Sequence, residues 1–185
     1  MSRAKEAALD WRHRTSDVPE RGASFERLAD AGERARLAAA LGLPALDRFE
    51  LSYRLAPSGG GRYHLSGSLT ASVEQACIVT GESLRSQIEE TIEEAFWPPE
   101  QLDRAVSEQG GEEVGALEAA VAEPIADGML DVGRLAYELL ATAIDPYPRK
   151  ADAVLEAPSD ASEAPRNNPF SVLKTLGGSR GSNEG

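Results

Sequence analysis

From Phe49 onward the chain alternates apolar and polar side chains. Phe49, Leu51, Tyr53 and Leu55 are separated by Glu50, Ser52 and Arg54, so a strand here has one apolar face. After Pro57-Ser58-Gly59-Gly60-Gly61 the alternation resumes at Tyr63, Leu65, Gly67, Leu69, Ala71 and Val73. Two such runs joined by a Gly-rich turn predict a long hairpin. The stretch from Arg85 to Phe96 places Ile88 and Ile92 among acids, and their four-residue spacing fits a strand or a helix. Taken as a strand, it completes an antiparallel meander. Leu9 to Arg14 alternates only briefly, a weak strand signal.

Two segments carry the helical period instead. Asp30 is placed to cap a helix to Leu41, with Glu33 at the capping-box position and Leu37, Ala40 and Leu41 on one face. Gly42 and Pro44 supply its stop signals. Asp131 caps a second helix whose stripe is Val132, Leu135, Ala136, Leu139, Leu140 and Ala143. Asp145-Pro146-Tyr147-Pro148 ends it, because proline removes a donor and restricts its predecessor.

The predicted fold class is therefore α+β: a small antiparallel sheet from roughly Leu46 to Phe96, packed by two helices. Residues 1–150 read as one domain, with an acidic mobile loop at about 98–118 after Pro98-Pro99. Residues 151–167 read as a disordered linker. Asn168-Pro169 then starts a short helix over 168–177, with Phe170, Leu173 and Leu176 along its apolar edge. Residues 178–185 read as a disordered end.

Charge changes this picture by its location. The net charge is -12 over 185 residues. Residues 1–88 hold 12 basic and 11 acidic groups, whereas residues 89–127 hold 12 acidic groups and only Arg104. Residues 128–185 hold 6 basic and 8 acidic groups. One central segment thus carries the excess, as either a solvated face or a docking surface for a basic partner. No run reaches the roughly 18 apolar residues of a membrane span. The start, Met1-Ser2-Arg3-Ala4-Lys5-Glu6, lacks the apolar core of a signal peptide, and the single cysteine suits a reducing compartment. The expectation is a cytoplasmic protein with neither membrane nor DNA among its partners.

Candidate chemistry is sparse. Cys77 opens a turn, Cys77-Ile78-Val79-Thr80, that has the look of half a zinc knuckle, but zinc takes four ligands and no second cysteine exists. With Glu74 and Glu82 nearby and no adjacent cation, the thiol is expected to have a raised pKa and a structural role. His13 and His64 lack metal-ligand spacing. No Gly-x-Ser-x-Gly elbow is present, and Gly59-Gly60-Gly61 lacks the Gly-Lys-Ser/Thr that makes a phosphate loop. No catalytic, cofactor-binding or metal-binding residue is assigned. Glu89, Glu90, Glu93 and Glu94 are candidate partner-binding residues, as are Phe170, Leu173 and Leu176 of the tail. Two alternatives stay open: a magnesium-dependent RNA-processing enzyme in which two or more of Glu89, Glu93, Glu94 and Asp127 converge in a cleft, and a scaffold docking through the tail helix. Arg12, Arg14, Arg34, Arg36, Arg48, Arg54 and Arg62 would make a basic patch if folding gathered them, with Trp11, Tyr53 and Tyr63 as stacking surfaces for RNA bases.

Three islands carry a family resemblance. Gln75-Ala76-Cys77-Ile78-Val79-Thr80-Gly81-Glu82, Asp145-Pro146-Tyr147-Pro148-Arg149-Lys150 and Asn168-Pro169-Phe170-Ser171-Val172-Leu173-Lys174-Thr175-Leu176 follow in that order. Together they resemble the YceD family, in its alphaproteobacterial form. Arg36-Leu37-Ala38-Ala39-Ala40-Leu41 and Gly67-Ser68-Leu69-Thr70-Ala71 fit the same pattern. Many relatives carry Cys-x-x-Cys where this chain has Cys77 and Thr80, and a further cysteine pair where it has 145–150. Metal-dependent properties therefore do not transfer. The resemblance implies a non-enzymatic factor supporting synthesis, processing or stability of large-subunit (23S) ribosomal RNA. Partners expected from it are a large-subunit ribosomal protein, rRNA, or both. A phosphate backbone is a poor partner for a chain of this charge, so a basic ribosomal protein at residues 89–127 is the expected contact.

Overall fold

The computed structural model describes residues 9–107 and 122–154. The compact unit they belong to runs to Ala153, and Ala153 is itself buried. The tail candidates Phe170, Leu173 and Leu176 lie outside the described residues, as do all but the first four residues of the expected linker.

Five strands form the main sheet in the order β2 (Ala23–Leu28), β3 (Ala45–Gly59), β4 (Arg62–Ala76), β5 (Ser83–Trp97) and β6 (Glu123–Pro124). All neighbours are antiparallel except β5 and β6, which pair in parallel through Phe96 with Glu123 and Trp97 with Pro124. A separate two-stranded ribbon joins β1 (Arg12–Arg14) to β7 (Met129–Asp131). The helices are α1 (Ala31–Leu41), α2 (Pro99–Ser107) and α3 (Val132–Ala143). The class is α+β, but the sheet is larger than the meander expected. Its central three strands are each 15 residues long, and the short strands β2 and β6 extend it at both sides.

The ambiguous stretch is a strand. Ile88 pairs opposite Ala71 and Ile92 opposite Gly67, so both isoleucines fall on the apolar face that β3 and β4 already define. A spacing of four is also an even number, and a strand places such residues on one side. The expected acidic loop at 98–118 begins instead as α2. Pro99 occupies its first turn, where a missing N–H costs nothing. Gln101 fastens this helix to the β3–β4 hairpin: its Nε2 donates to the Gly60 carbonyl at 2.6 Å, and its Oε1 accepts from Arg62 at 2.7 Å. Arg62 also lies 3.5 Å above the Trp97 ring.

Both expected caps form. Asp30 accepts from the Glu33 N–H at 2.8 Å, and Glu33 accepts from the Asp30 N–H at 2.9 Å. Gly42 closes α1 with φ 67°, the left-handed region that favours glycine. Asp131 caps α3 through the Arg134 N–H at 3.0 Å. In α1 the buried residues are Leu37 and Ala38, with Ala40 exposed rather than inward as its spacing suggested. The core lies on one face of β3, β4 and β5, with residues of α1, α3 and the β1–β7 ribbon packed into it. Phe49, Leu51, Leu55, Leu65 and Leu69 are fully buried in it, and Trp11 stacks on Phe49 at 5.7 Å between ring centroids.

His13 is the one histidine in this core. It shares a 2.6 Å hydrogen bond with the Tyr53 hydroxyl and lies 4.3 Å from the Phe25 ring. Burial, and then the Arg27 cation, push its pKa below the ordinary 6.5. A depressed histidine pKa means that the unfolded chain takes up the proton first. The linked stability is therefore full above about pH 6.5 and declines as the pH falls towards the folded-state value. Urea midpoints measured from pH 8 to pH 5 are expected to fall below pH 6.5, and His13→Gln is expected to flatten that part of the curve.

Candidate partner-binding surface

Register decides where the four central glutamates point. On β5, Ile88, Glu90, Ile92, Glu94 and Phe96 pair opposite Ala71, Leu69, Gly67, Leu65 and Tyr63, so they share the core-side face. Glu89 and Glu93 pair opposite Thr70 and Ser66, on the opposite, open face. The sequence run therefore splits into two pairs on two faces, which consecutive numbering conceals. No set of three or more His, Cys, Asp or Glu among the described residues is grouped to hold a metal ion. Of the four carboxylates named for a magnesium site, Glu93 and Glu94 line one groove, and Glu89 and Asp127 do not.

Glu94 of the core-side pair and Glu93 of the open-face pair both line a groove of about 450 Å³ between the edge of β5 and α3, and Glu90 does not. Its floor is Ile92, Leu135 and Leu139, and its walls include Glu94, Glu123 and Glu138. Arg134 pairs with Glu123 and with Glu138, the latter at 2.8 Å. Glu94 has no ion pair of its own among the described residues. Burial, followed by repulsion from Glu138, raises its pKa, and Arg134 only partly offsets this. On the open face Glu93 lies 3.6 Å from His64. Glu89 and Glu90 are exposed and form no ion pair among the described residues. The result is one acidic border along β5 with an apolar floor beside it. Sequence missed Glu123 and Glu138 as its members, since β6 and α3 bring them to β5 from a distance in the chain.

Most of the basic and aromatic groups named for RNA contact have partners within the fold. Trp11 and Tyr53 are buried, and the Tyr63 hydroxyl donates to the Thr15 carbonyl at 3.1 Å. Trp11 donates its indole N–H to Glu33 at 3.0 Å. Arg12 pairs with Asp10, Arg48 with Glu50, and Arg34 and Arg54 donate to the Ala29 and Arg21 carbonyls. Alternation predicted the buried face of β3 and β4 correctly; burial of Tyr53 on it, and of Trp11 against Phe49, removes two of the three rings as exposed stacking surfaces.

The turn at Cys77 joins two of the resemblance islands in space. Ile78 N–H donates to the Pro148 carbonyl at 2.9 Å, and Gln75 donates to the Asp145 carbonyl at 2.8 Å. Lys150 reaches Glu82 at 3.0 Å. Cys77 is buried, yet it lies under this loop rather than in the core cluster. The expected rise of its pKa is overturned. Its thiol is pulled down to about 6, first by the Thr80 hydroxyl and then by the N–H groups of Lys150, Thr80 and Val79. These donors stabilise the thiolate at contact distance, which outweighs the more distant carboxylates. The stability linked to it is full above the ordinary thiol pKa of about 8.5 and is lost as the pH falls through about 6. Titration of thiolate absorbance is expected to give that midpoint in the native protein and a higher one in Thr80→Val. An unchanged midpoint would rule out the hydroxyl as the principal donor.

Comparison with family models, with curated proteins and with solved structures finds no match. The described residues contain no helix long and apolar enough to cross a membrane.

Proposed function

We propose that this protein is a cytoplasmic, non-enzymatic factor in biogenesis of the large ribosomal subunit, acting by holding a basic ribosomal protein. The resemblance to the YceD family supplies the process, and the acidic border of β5 supplies the mode. The single observation behind the mode is Glu94: a half-buried carboxylate beside Glu138 that lacks an ion pair among the described residues. A Lys or Arg from a partner relieves that repulsion, so the free protein carries a site whose electrostatics improve on binding. RNA contact, where it occurs, is then secondary to the protein contact, since phosphates are repelled by the same border.

Affinity capture from cells making this protein, with the bound proteins and RNA identified, tests the proposal. Large-subunit ribosomal proteins are expected to remain after nuclease treatment and to leave as salt is raised. Recovery of no large-subunit component would overturn it.

A further inference from the structure

We propose that an extended, Lys/Arg-rich segment of a protein partner adds to the open edge of β5 as a further strand, in the groove between that edge and α3. This rests on the reading above and gives it a binding mode.

Only two of the 15 residues of β5, Phe96 and Trp97, pair with β6. Along the rest of that edge no described strand pairs with β5. An unpaired edge presents N–H and C=O groups in the spacing that a new strand satisfies. From Ile88 to Ala95 the charged side chains are all acidic, and Arg85, nearer the start of the strand, is paired with Asp47 and Glu74. Glu89, Glu90 and Glu93 are exposed and Glu94 is half-buried. Such a row repels a second copy of itself, which keeps β5 edges from pairing with each other, and favours a strand bearing cations.

The two faces of β5 define the pattern the added strand must carry. Side chains on one side of it meet Glu89 and Glu93. Those on the other side meet Glu94 and Glu138 above the floor of Ile92, Leu135 and Leu139. Lys and Arg suit that second side, because their aliphatic stems cover apolar surface while their heads reach the carboxylates. The sheet's other open edge, β2, differs. It is six residues long and carries both Glu26 and Arg27, so it selects no single charge.

The probe is a synthetic peptide alternating Lys and Val, compared with the same peptide N-methylated at alternate amides. N-methylation keeps the charge and removes strand-forming donors. The unmodified peptide is expected to bind and to slow exchange of the amides within Thr91–Glu94 that point away from β4. The methylated peptide is expected to bind at least roughly tenfold more weakly, the effect of losing several backbone hydrogen bonds. Equal binding of the two would overturn strand addition while leaving an acidic docking surface intact. Failure of the peptide where basic ribosomal proteins still bind would do the same. Slow exchange of the amides there that point away from β4, already in the free protein, would show the edge occupied and overturn the inference. Failure of every basic protein as well would overturn the functional reading with it.

Discussion

Replacing Gly67 by alanine is expected to abolish most of the protein's folding stability. A Cβ at this position would lie 2.2 Å from the Ser52 carbonyl oxygen and 2.7 Å from the Tyr53 Cα, both backbone atoms of β3. Gly67 pairs with Tyr53 on one side and with Ile92 on the other, at the middle of the three long strands. Neither neighbour can yield by rotating a side chain. Relief requires that β3 and β4 separate where the core is fully buried, and Leu51 and Leu69 lose their packing together. The expected cost is about 4 kcal/mol or more, at the extreme of single substitutions, against a total stability of about 5–15 kcal/mol for an ordinary domain. Ser68→Ala, on the exposed face one residue away, is expected to change stability by about 0.5 kcal/mol or less. Urea denaturation followed by circular dichroism measures both. A Gly67→Ala midpoint close to that of Ser68→Ala would refute the close approach of β3 and β4.

Charge reversal on the core-side face of β5 is expected to cost most of the affinity for a basic partner. Glu94→Lys converts attraction into repulsion beside the groove floor, and Glu90→Lys adds a second cation on the same face of β5. At low salt the loss is expected to be roughly a hundredfold, expressed mainly as slower association. Glu89→Lys with Glu93→Lys reverses the same number of charges on the opposite face, and a loss of roughly tenfold or less is expected: Glu93 borders the groove, but neither side chain is half-buried beside Glu138 as Glu94 is. The core-side variant should fold, since Glu94→Lys replaces a repulsive neighbour of Glu138 by an attractive one. Surface plasmon resonance at two salt concentrations separates the effects, and the difference between the variants should shrink as salt rises. Equal losses from both variants would mean that net charge, rather than the groove, governs binding.

Local signals were readable wherever the physics is local. The Asp30–Glu33 capping box, Gly42 and Asp131 are fixed by a few neighbouring residues, and each stands where the sequence places it. Alternation likewise identified the buried face from Phe49 to Val73. Glu33 shows the limit. Its capping role follows from spacing, whereas its second oxygen accepts from Trp11, 22 residues away, through a tertiary contact that no local pattern encodes. The edge strands were missed for a related reason: β2 and β6 are short, and pairing rather than periodicity defines them. At the acidic border, sequence identified the glutamates of β5 but not their division between two faces, which depends on register. Cys77 misled because nearby carboxylates are visible in the sequence, while the N–H groups aimed at its sulfur are not.

Direct titration of the purified protein tests the central claim most directly. Individual basic large-subunit ribosomal proteins and a bare large-subunit rRNA fragment would be titrated in parallel across a range of salt. At least one ribosomal protein is expected to bind, with affinity that falls as salt rises and is lost in the Glu90→Lys/Glu94→Lys variant, while the RNA binds weakly throughout. Tight binding of the bare RNA, indifferent to that variant, together with no binding of any ribosomal protein, would contradict the account.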